Sequence, residues 1–180
     1  LDEIAEDEDV RVLVLTGAGR AFCASVDLKE NHQARMGLDH PPTLEETRRF
    51  LRAYPQAITK KLRSLEKPTI AMVNGIAVAD GVDWALSCDI RIGSDNARFM
   101  SGFVMMAAFP NTGAAWLYPR IMGLGKAMEF LYTGDSMEAE EAYRLGVLNR
   151  VVPASELATE TLALAQRIAA GPTVALRLIK

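Results

Sequence analysis

Val10-Arg11-Val12-Leu13-Val14-Leu15-Thr16 runs directly into Gly17-Ala18-Gly19-Arg20-Ala21-Phe22-Cys23-Ala24. Residues 9–16 are rich in β-branched side chains and almost continuously apolar. That predicts a strand buried on both faces, as in a parallel sheet covered by helices. The glycines end the strand in a tight turn. A glycine pair after a buried strand also suggests a dinucleotide loop, but the third glycine of that fingerprint would fall at Phe22, and no clear helix follows. A turn that leaves a strand is the better reading.

The same grammar recurs downstream. Residues 69–73 read as a second strand, and Asn74-Gly75 turns out of it. Residues 81–87 start a short helix, and residues 89–92 return as a strand. Residues 97–100 and 147–152 are shorter strand candidates. Upstream of Lys67-Pro68, Thr43 is placed to cap a helix whose first turn carries Glu45 and Glu46. Leu44, Phe50, Leu51, Tyr54, Ile58 and Leu62 form its apolar stripe, with a kink expected at Pro55. Residues 31–42 have no period, hold both histidines (His32 and His40) and end at Pro41-Pro42. They read as a loop, expected to be mobile until a ligand binds. Asn111 or Thr112 is expected to cap the next helix, and residues 126–132 form another that ends at Gly134. Asp135 and Glu138 have capping-box spacing for a helix that stops at Gly146. Residues 155–170 are amphipathic up to Gly171-Pro172. Strands that alternate with helices imply an α/β fold with mostly parallel strands.

The chain has 180 residues, 49% of them hydrophobic and 24% charged, enough for one domain with a useful core. Its formal net charge of −3 gives no electrostatic reason to bind nucleic acid or an anionic membrane. Cys23 and Cys88 cannot form a disulfide framework, which fits a reducing, cytoplasmic compartment. No apolar run reaches membrane-spanning length. The chain opens without Met, with Leu1, Ile4 and Ala5 already at helical spacing, and it stops inside the apolar run around Leu176, Leu178 and Ile179. It is therefore read as a piece of a longer protein.

Several chemistries lack their residues. No Gly-Lys-Ser/Thr follows a glycine cluster, no His-Glu-x-x-His lies on a helix, and no Gly-x-Ser-x-Gly elbow is present. Metal catalysis is not expected. Two turns are more informative: residues 22–28 after the first strand, and residues 74–81 before a helix. Small residues let a ligand approach the backbone, and a helix N-terminus presents free N–H groups. Side by side, two such turns can aim two donors at one oxygen, as in an oxyanion hole for a carbonyl that becomes an enolate. Residue types alone favour the plainer reading that small residues permit tight packing.

The ordered set of motifs closely resembles the enoyl-CoA hydratase/isomerase, or crotonase, superfamily over nearly the whole chain. It comprises residues 12–24, Lys67 to Asn74-Gly75, Cys88-Asp89-Ile90-Arg91, Ala97-Arg98-Phe99, Pro119-Arg120-Ile121-Met122-Gly123, Ala127-Met128-Glu129 to Thr133-Gly134, and Glu141-Ala142 to Gly146-Val147-Leu148. The resemblance implies a single crotonase-like domain, an α/β ββα spiral. Residues 1–153 would form the spiral core and 154–180 the start of a C-terminal helical region. The family's opening strand and helix and its last helices would be missing.

Carried over position by position, the resemblance implies oxyanion-hole donors at the backbone N–H groups of Val26 and Asp80. The family usually has Ala and Gly there, and any non-proline residue supplies the N–H. The Coenzyme A grip would involve the backbone at Cys23 and Ala24, with Arg20 and Lys29 near phosphates; a solvated surface charge is nearly as good a reading of Lys29. The family's first acid falls on Asp83, one methylene shorter than the usual Glu, with an exposed helix residue of no role as the alternative. The second acid falls on Phe103, which cannot move a proton. An isomerase-type Asp falls on Asn111, which can hydrogen-bond but cannot be a base.

The implied function is an acyl-CoA-processing enzyme of the hydratase/isomerase type, better suited to isomerisation or another one-acid enolate reaction than to hydration. It would need no cofactor beyond Coenzyme A in its substrate, and it would assemble as a trimer or hexamer. The rival readings are an acyl-CoA hydrolase, decarboxylase or dehalogenase that uses Asp80, Asn111 or a loop histidine, and a non-catalytic acyl-CoA-binding protein.

Overall fold

The structure, a computed structural model, describes residues 1–27 and 35–180. A short helix α1 (Asp2–Glu6) leads to β1 (Leu13–Thr16), and a tight turn leads to β2 (Ala21–Cys23). Helices α2 (Leu44–Ala53) and α3 (Pro55–Ser64) precede β3 (Thr69–Val73), β4 (Ile76–Val78) and α4 (Asp80–Ser87). Then come β5 (Ile90–Ser94), β6 (Arg98–Met100), a 3-10 turn (Val104–Met106), α5 (Ala114–Met122) and α6 (Leu124–Thr133). The chain continues through β7 (Ser136–Glu138), α7 (Ala139–Arg144), β8 (Arg150–Val152), α8 (Leu157–Ala169) and α9 (Thr173–Ile179).

Two sheets are built in parallel turns of a spiral. One has the order β1-β3-β5-β8 and the other β2-β4-β6-β7. Each turn gives one strand to each sheet, so β1 passes to β2, β3 to β4 and β5 to β6. Pairing is parallel apart from β7, which runs antiparallel to β6. The larger core cluster includes Phe22, Val73, Val82, Phe99, Tyr118 and Phe130. The outer face of the first sheet buries Ile70 and Ile92 against Leu157 and Leu164 of α8.

The resemblance-bearing motifs hold the spiral together. Asn74 Oδ1 accepts from the Gly17 N–H (3.2 Å) and its Nδ2 donates to the Gly19 carbonyl (2.9 Å), which locks neighbouring turns together. A Cβ on Gly75 would lie 2.0 Å from the Arg20 carbonyl oxygen, so only glycine fits there. Asp89 Oδ2 accepts from both the N–H and the hydroxyl of Thr69, each at 2.8 Å. The buried Arg91 guanidinium donates to the Val147 and Cys88 carbonyls.

Several expectations need correction. The first strand is shorter than residues 9–16, lies at a sheet edge and is only half-buried. Residues 21–23 and 76–78, read as turns, are strands of the second sheet; three residues are too few to show a period. Pro55 does not kink one helix but opens a new one at N1, after Tyr54 breaks the helical backbone. Thr43 does form a capping box with Glu46. Asp135 and Glu138 do not form one. Met137 is pulled into the core on a strand, and its burial outweighs the local cap. Gly113, not Asn111 or Thr112, is the N-cap of α5. Among the described residues no single helix is long and apolar enough to cross a membrane.

Candidate active site

The two turns singled out in the sequence do meet. Gly81, in the first turn of α4, packs directly on the end of β2: a Cβ there would lie 2.4 Å from the Cys23 carbonyl oxygen. This contact sets the Ser25-Val26 turn beside the N-terminus of α4. Both turns are conformationally unusual, with Ser25 at φ 69° and Ala79 at φ 47°. Ala79 is the N-cap of α4 and makes no side-chain cap hydrogen bond. Asp80 is therefore the first helical residue, and its N–H has no intrahelical acceptor.

Beside these turns lies a cavity of about 600 Å³, within the range of small-molecule sites. Phe50, Leu51 and Pro55 wall it on one side, and Phe103 and Met106 on another. Its polar lining comes from Ser25, Asp27, Arg35, Asp80 and Asn111, and Val26 lies among them. A second cavity of about 370 Å³, against Leu1, Asp2, Lys61 and Lys67, lies away from both turns.

Asp80 contributes its side chain as well as its backbone. The residue as a whole is 8% exposed and belongs to the cavity lining. Thr112 Oγ1 stands within hydrogen-bond distance of both Asp80 Oδ1 (3.0 Å) and Asp83 Oδ2. The Ala114 N–H also donates to Asp83 Oδ2, at 3.2 Å. Asp83 is 0% exposed and Thr112 is 2% exposed. Asp83 is not part of the cavity lining, and Thr112 connects it to Asp80, which is.

Burial raises the pKa of both acids, disfavouring their charged forms. It carries Asp83 up to about 7, with the Asp80 charge adding to the rise and the Thr112, Tyr118 and Ala114 donors opposing it. Asp80 is raised by burial, against the pull of Thr112, Arg35 and Ser25. Asp83 Oδ1 and the Tyr118 hydroxyl are both buried with no partner at hydrogen-bond geometry among the described residues, yet they stand close enough for each to shift the other. Burial, then the Asp83 charge, raises the Tyr118 pKa well above the ordinary phenol range and keeps its hydroxyl protonated.

The other expected site residues fall as follows. Phe103 is 4% exposed and forms part of the cavity wall, so the position at which the resemblance implied a second acid presents an aromatic ring. Asn111 lines the cavity, and its carbonyl accepts from Gln56 Nε2 at 2.8 Å. Arg20 and Ala24 are exposed and Cys23 is half-buried, all outside the cavity lining. Lys29, His32 and the start of the 31–42 loop lie outside the described residues. His40 is exposed and faces Glu46 at 3.6 Å, away from the cavity. The alternative of an exposed Asp83 is ruled out by its complete burial. The sequence reading offered the Asp80 side chain only to the rival reactions and missed Thr112 and Arg35 as its neighbours. The signal for Asp80 was a carboxylate where the resemblance implied glycine; Thr112 and Arg35 carried no signal.

Residues 1–180 match the enoyl-CoA hydratase/isomerase family. The chain is 36% identical over 180 residues to 1,2-epoxyphenylacetyl-CoA isomerase of Escherichia coli, covering all of this chain and 67% of that protein. It is 36% identical to the short-chain-enoyl-CoA hydratase of Clostridium acetobutylicum, with 66% of that protein covered, and 32% identical to an Arthrobacter 4-chlorobenzoyl coenzyme A dehalogenase, with 63% covered. Among solved structures, the enoyl-CoA hydratase of Bacillus anthracis superposes with a TM-score of 0.88 at 34% identity, covering 99% of this chain and 66% of that one. The chain therefore belongs to the enoyl-CoA hydratase/isomerase family and has its crotonase fold. It spans about two thirds of the length of these curated relatives.

Proposed function

We propose that the protein processes an acyl-CoA thioester by forming an enolate at the thioester carbonyl. The backbone N–H groups of Val26 and Asp80 would hold the enolate oxygen, where charge develops. The Asp80 carboxylate would take a proton from carbon, with Asp83 behind it. The observation that carries this reading is the joining of two buried carboxyls by Thr112 at the edge of the oxyanion turn. The sequence assigned the proton-moving role to Asp83; the cavity lining favours Asp80 as the group that touches substrate.

Isomerisation suits these groups better than hydration. One carboxyl can remove a proton at one carbon and return it at another. Hydration needs both an activated water and a proton delivered to carbon, and Phe103 can supply neither. Coenzyme A enters as part of the substrate, and the reaction so written uses no metal or redox cofactor. Cys23 and Ala24 backbone with Arg20 and Lys29 is the proposed grip for the carrier. The exposed Val174, Leu178 and Ile179 of α9 support self-association, read here as a trimer or hexamer. A reducing, cytoplasmic setting is the compartment that fits two free thiols.

The test is a side-by-side assay of a 3-enoyl-CoA and of a 2-enoyl-CoA in water, with the wild type and Asp80→Asn. Faster isomerisation that collapses in Asp80→Asn is expected. Faster hydration, or full isomerisation in Asp80→Asn, overturns the assignment. A second reading follows from the carboxylate of Asp80 in the cavity: direct attack on an activated acyl-CoA, as in dehalogenation. It predicts a covalent ester at Asp80 and halide release from a haloaryl-CoA.

A further inference from the structure

We propose that Asp80 and Asp83 share a single carboxyl proton across Thr112, and that Thr112 is a positioning residue that directs it to the buried carboxyl and leaves the one at the cavity ionised. The role in turnover rests on the acyl-thioester reading above; the proton count does not.

The count follows from the hydroxyl's inventory. A threonine hydroxyl has one proton to donate, and an ionised carboxylate can only accept. Thr112 Oγ1 nevertheless hydrogen-bonds both Asp80 Oδ1 and Asp83 Oδ2. With both acids ionised, one of those contacts would set lone pair against lone pair in a buried site. With one acid protonated, both contacts are hydrogen bonds. Two arrangements satisfy this. In the first, the Asp83 O–H donates to Thr112 Oγ1 and the Thr112 O–H donates to Asp80, leaving Asp80 ionised in the cavity. In the second, the Asp80 O–H donates to Thr112 and the Thr112 O–H donates to Asp83. They interconvert when one proton moves from Asp83 to Oγ1 as another moves from Oγ1 to Asp80. No proton or charge is gained or lost.

The surroundings favour the first arrangement at rest. Asp83 is completely buried, and the groups facing it are Asp80, the Tyr118 hydroxyl of α5 and the Ala114 N–H. Asp80 is the better solvated acid. It faces the Ser25 hydroxyl, the Arg35 charge and, from β2, the Cys23 thiol, which burial and then the Asp80 charge keep protonated against the pull of the Ser25 backbone. Two ionised carboxylates this close and this buried are unfavourable.

In turnover, Asp80 takes the substrate proton, the carbon keeps the electron pair, and the charge passes to the enolate oxygen at the Val26 and Asp80 N–H groups. Both acids are then neutral. Returning a proton to another carbon restores the resting state. Thr112 keeps Asp80 ionised in the resting enzyme by directing the shared proton to Asp83.

Infrared spectroscopy of the substrate-free protein tests the count directly. At about pH 6, where exposed carboxylates are ionised, the wild type should show the C=O stretch of one neutral carboxylic acid. Asp83→Asn should remove it, and Thr112→Val should move it to higher frequency. No such band, or a band unchanged in Asp83→Asn, overturns the proposal. In turnover, Thr112→Val should lower kcat at least about tenfold with little change in KM. It should also move the acidic limb of the pH–rate profile to higher pH, and Thr112→Ser should restore both. An unmoved profile in Thr112→Val overturns the positioning role. A band that behaves as expected without turnover of any acyl-CoA would instead overturn the functional reading.

Discussion

Gly81 sits on Cys23 with no room for a side chain: a Cβ on Gly81 would lie 2.4 Å from the Cys23 carbonyl oxygen. The contact is backbone on backbone, so neither side can swing away. It fixes the distance between the Ser25-Val26 turn and the first residues of α4.

Gly81→Ala is therefore expected to destabilise the protein by about 1–3 kcal/mol, as overpacking does, although alanine is the better helix former by about 1 kcal/mol. Activity of the folded fraction should fall as well, because the two turns separate. Denaturant unfolding and kcat on the same sample check this. Unchanged or raised stability would show that the contact relaxes freely.

Ala79→Gly should act in the opposite direction. Ala79 holds φ 47°, ψ −110°, a backbone region that favours glycine. Relief of that strain is worth about 1 kcal/mol, partly offset by the greater freedom of glycine in the unfolded chain. Stability equal to or above that of the wild type, with the cavity's ligand affinity retained, is the expected result. A clear loss of stability would contradict it.

Asp83→Asn should change how stability depends on pH. Asp83 is carried to about 7 in the folded chain from an ordinary 3.8. Between those values the folded protein keeps a proton that the unfolded chain releases. The group's stabilising contribution is thus fully present below about pH 4 and lost as pH rises through about 7. Asparagine cannot titrate, so the stability of the wild type minus that of the variant should decline across this window. Urea unfolding at several pH values reads it. A difference that rises with pH would reverse the sign and refute the burial argument.

Phe103→Glu should raise the ratio of hydration to isomerisation by about tenfold or more, because it puts a second acid into the lining of the cavity that Asp80 also lines. Phe103 is buried, so a lower melting temperature is also expected. The ratio of the two rates within one preparation is the readout. A ratio that does not move would mean that the missing acid is not what limits hydration.

Much of this architecture was legible in the sequence because long-range structure and local pattern agree there. Thr69–Val73 and Ile90–Ser94 are apolar strands in the middle of a sheet, and the Thr43–Glu46 cap sits where its residue types require. Of the second sheet only β6 was legible, as the strand candidate at 97–100. The strands β2, β4 and β7 are three residues long, and only their pairing, such as Ala77 beside Phe99, makes them strands. At the site, the sequence brought Val26, Asp80, Asp83 and Phe103 forward through motif position. It could not say which way the Asp80 carboxyl faces or that Thr112 lies between two acids. Thr112 reads as a helix cap from its neighbours, and its actual partners are 32 and 29 residues away.

The donors proposed for the enolate belong to the main chain, and that gives the fold an unusual latitude. Any residue but proline at position 80 still offers an N–H, so the side chain there can be exchanged without dismantling the anion's cradle. Binding and reactivity are thereby carried by separable parts of one amino acid. A lineage built on this scaffold can try a new acid, base or nucleophile by single substitutions while the thioester stays anchored. New chemistry on such a frame begins from a protein that already holds its substrate.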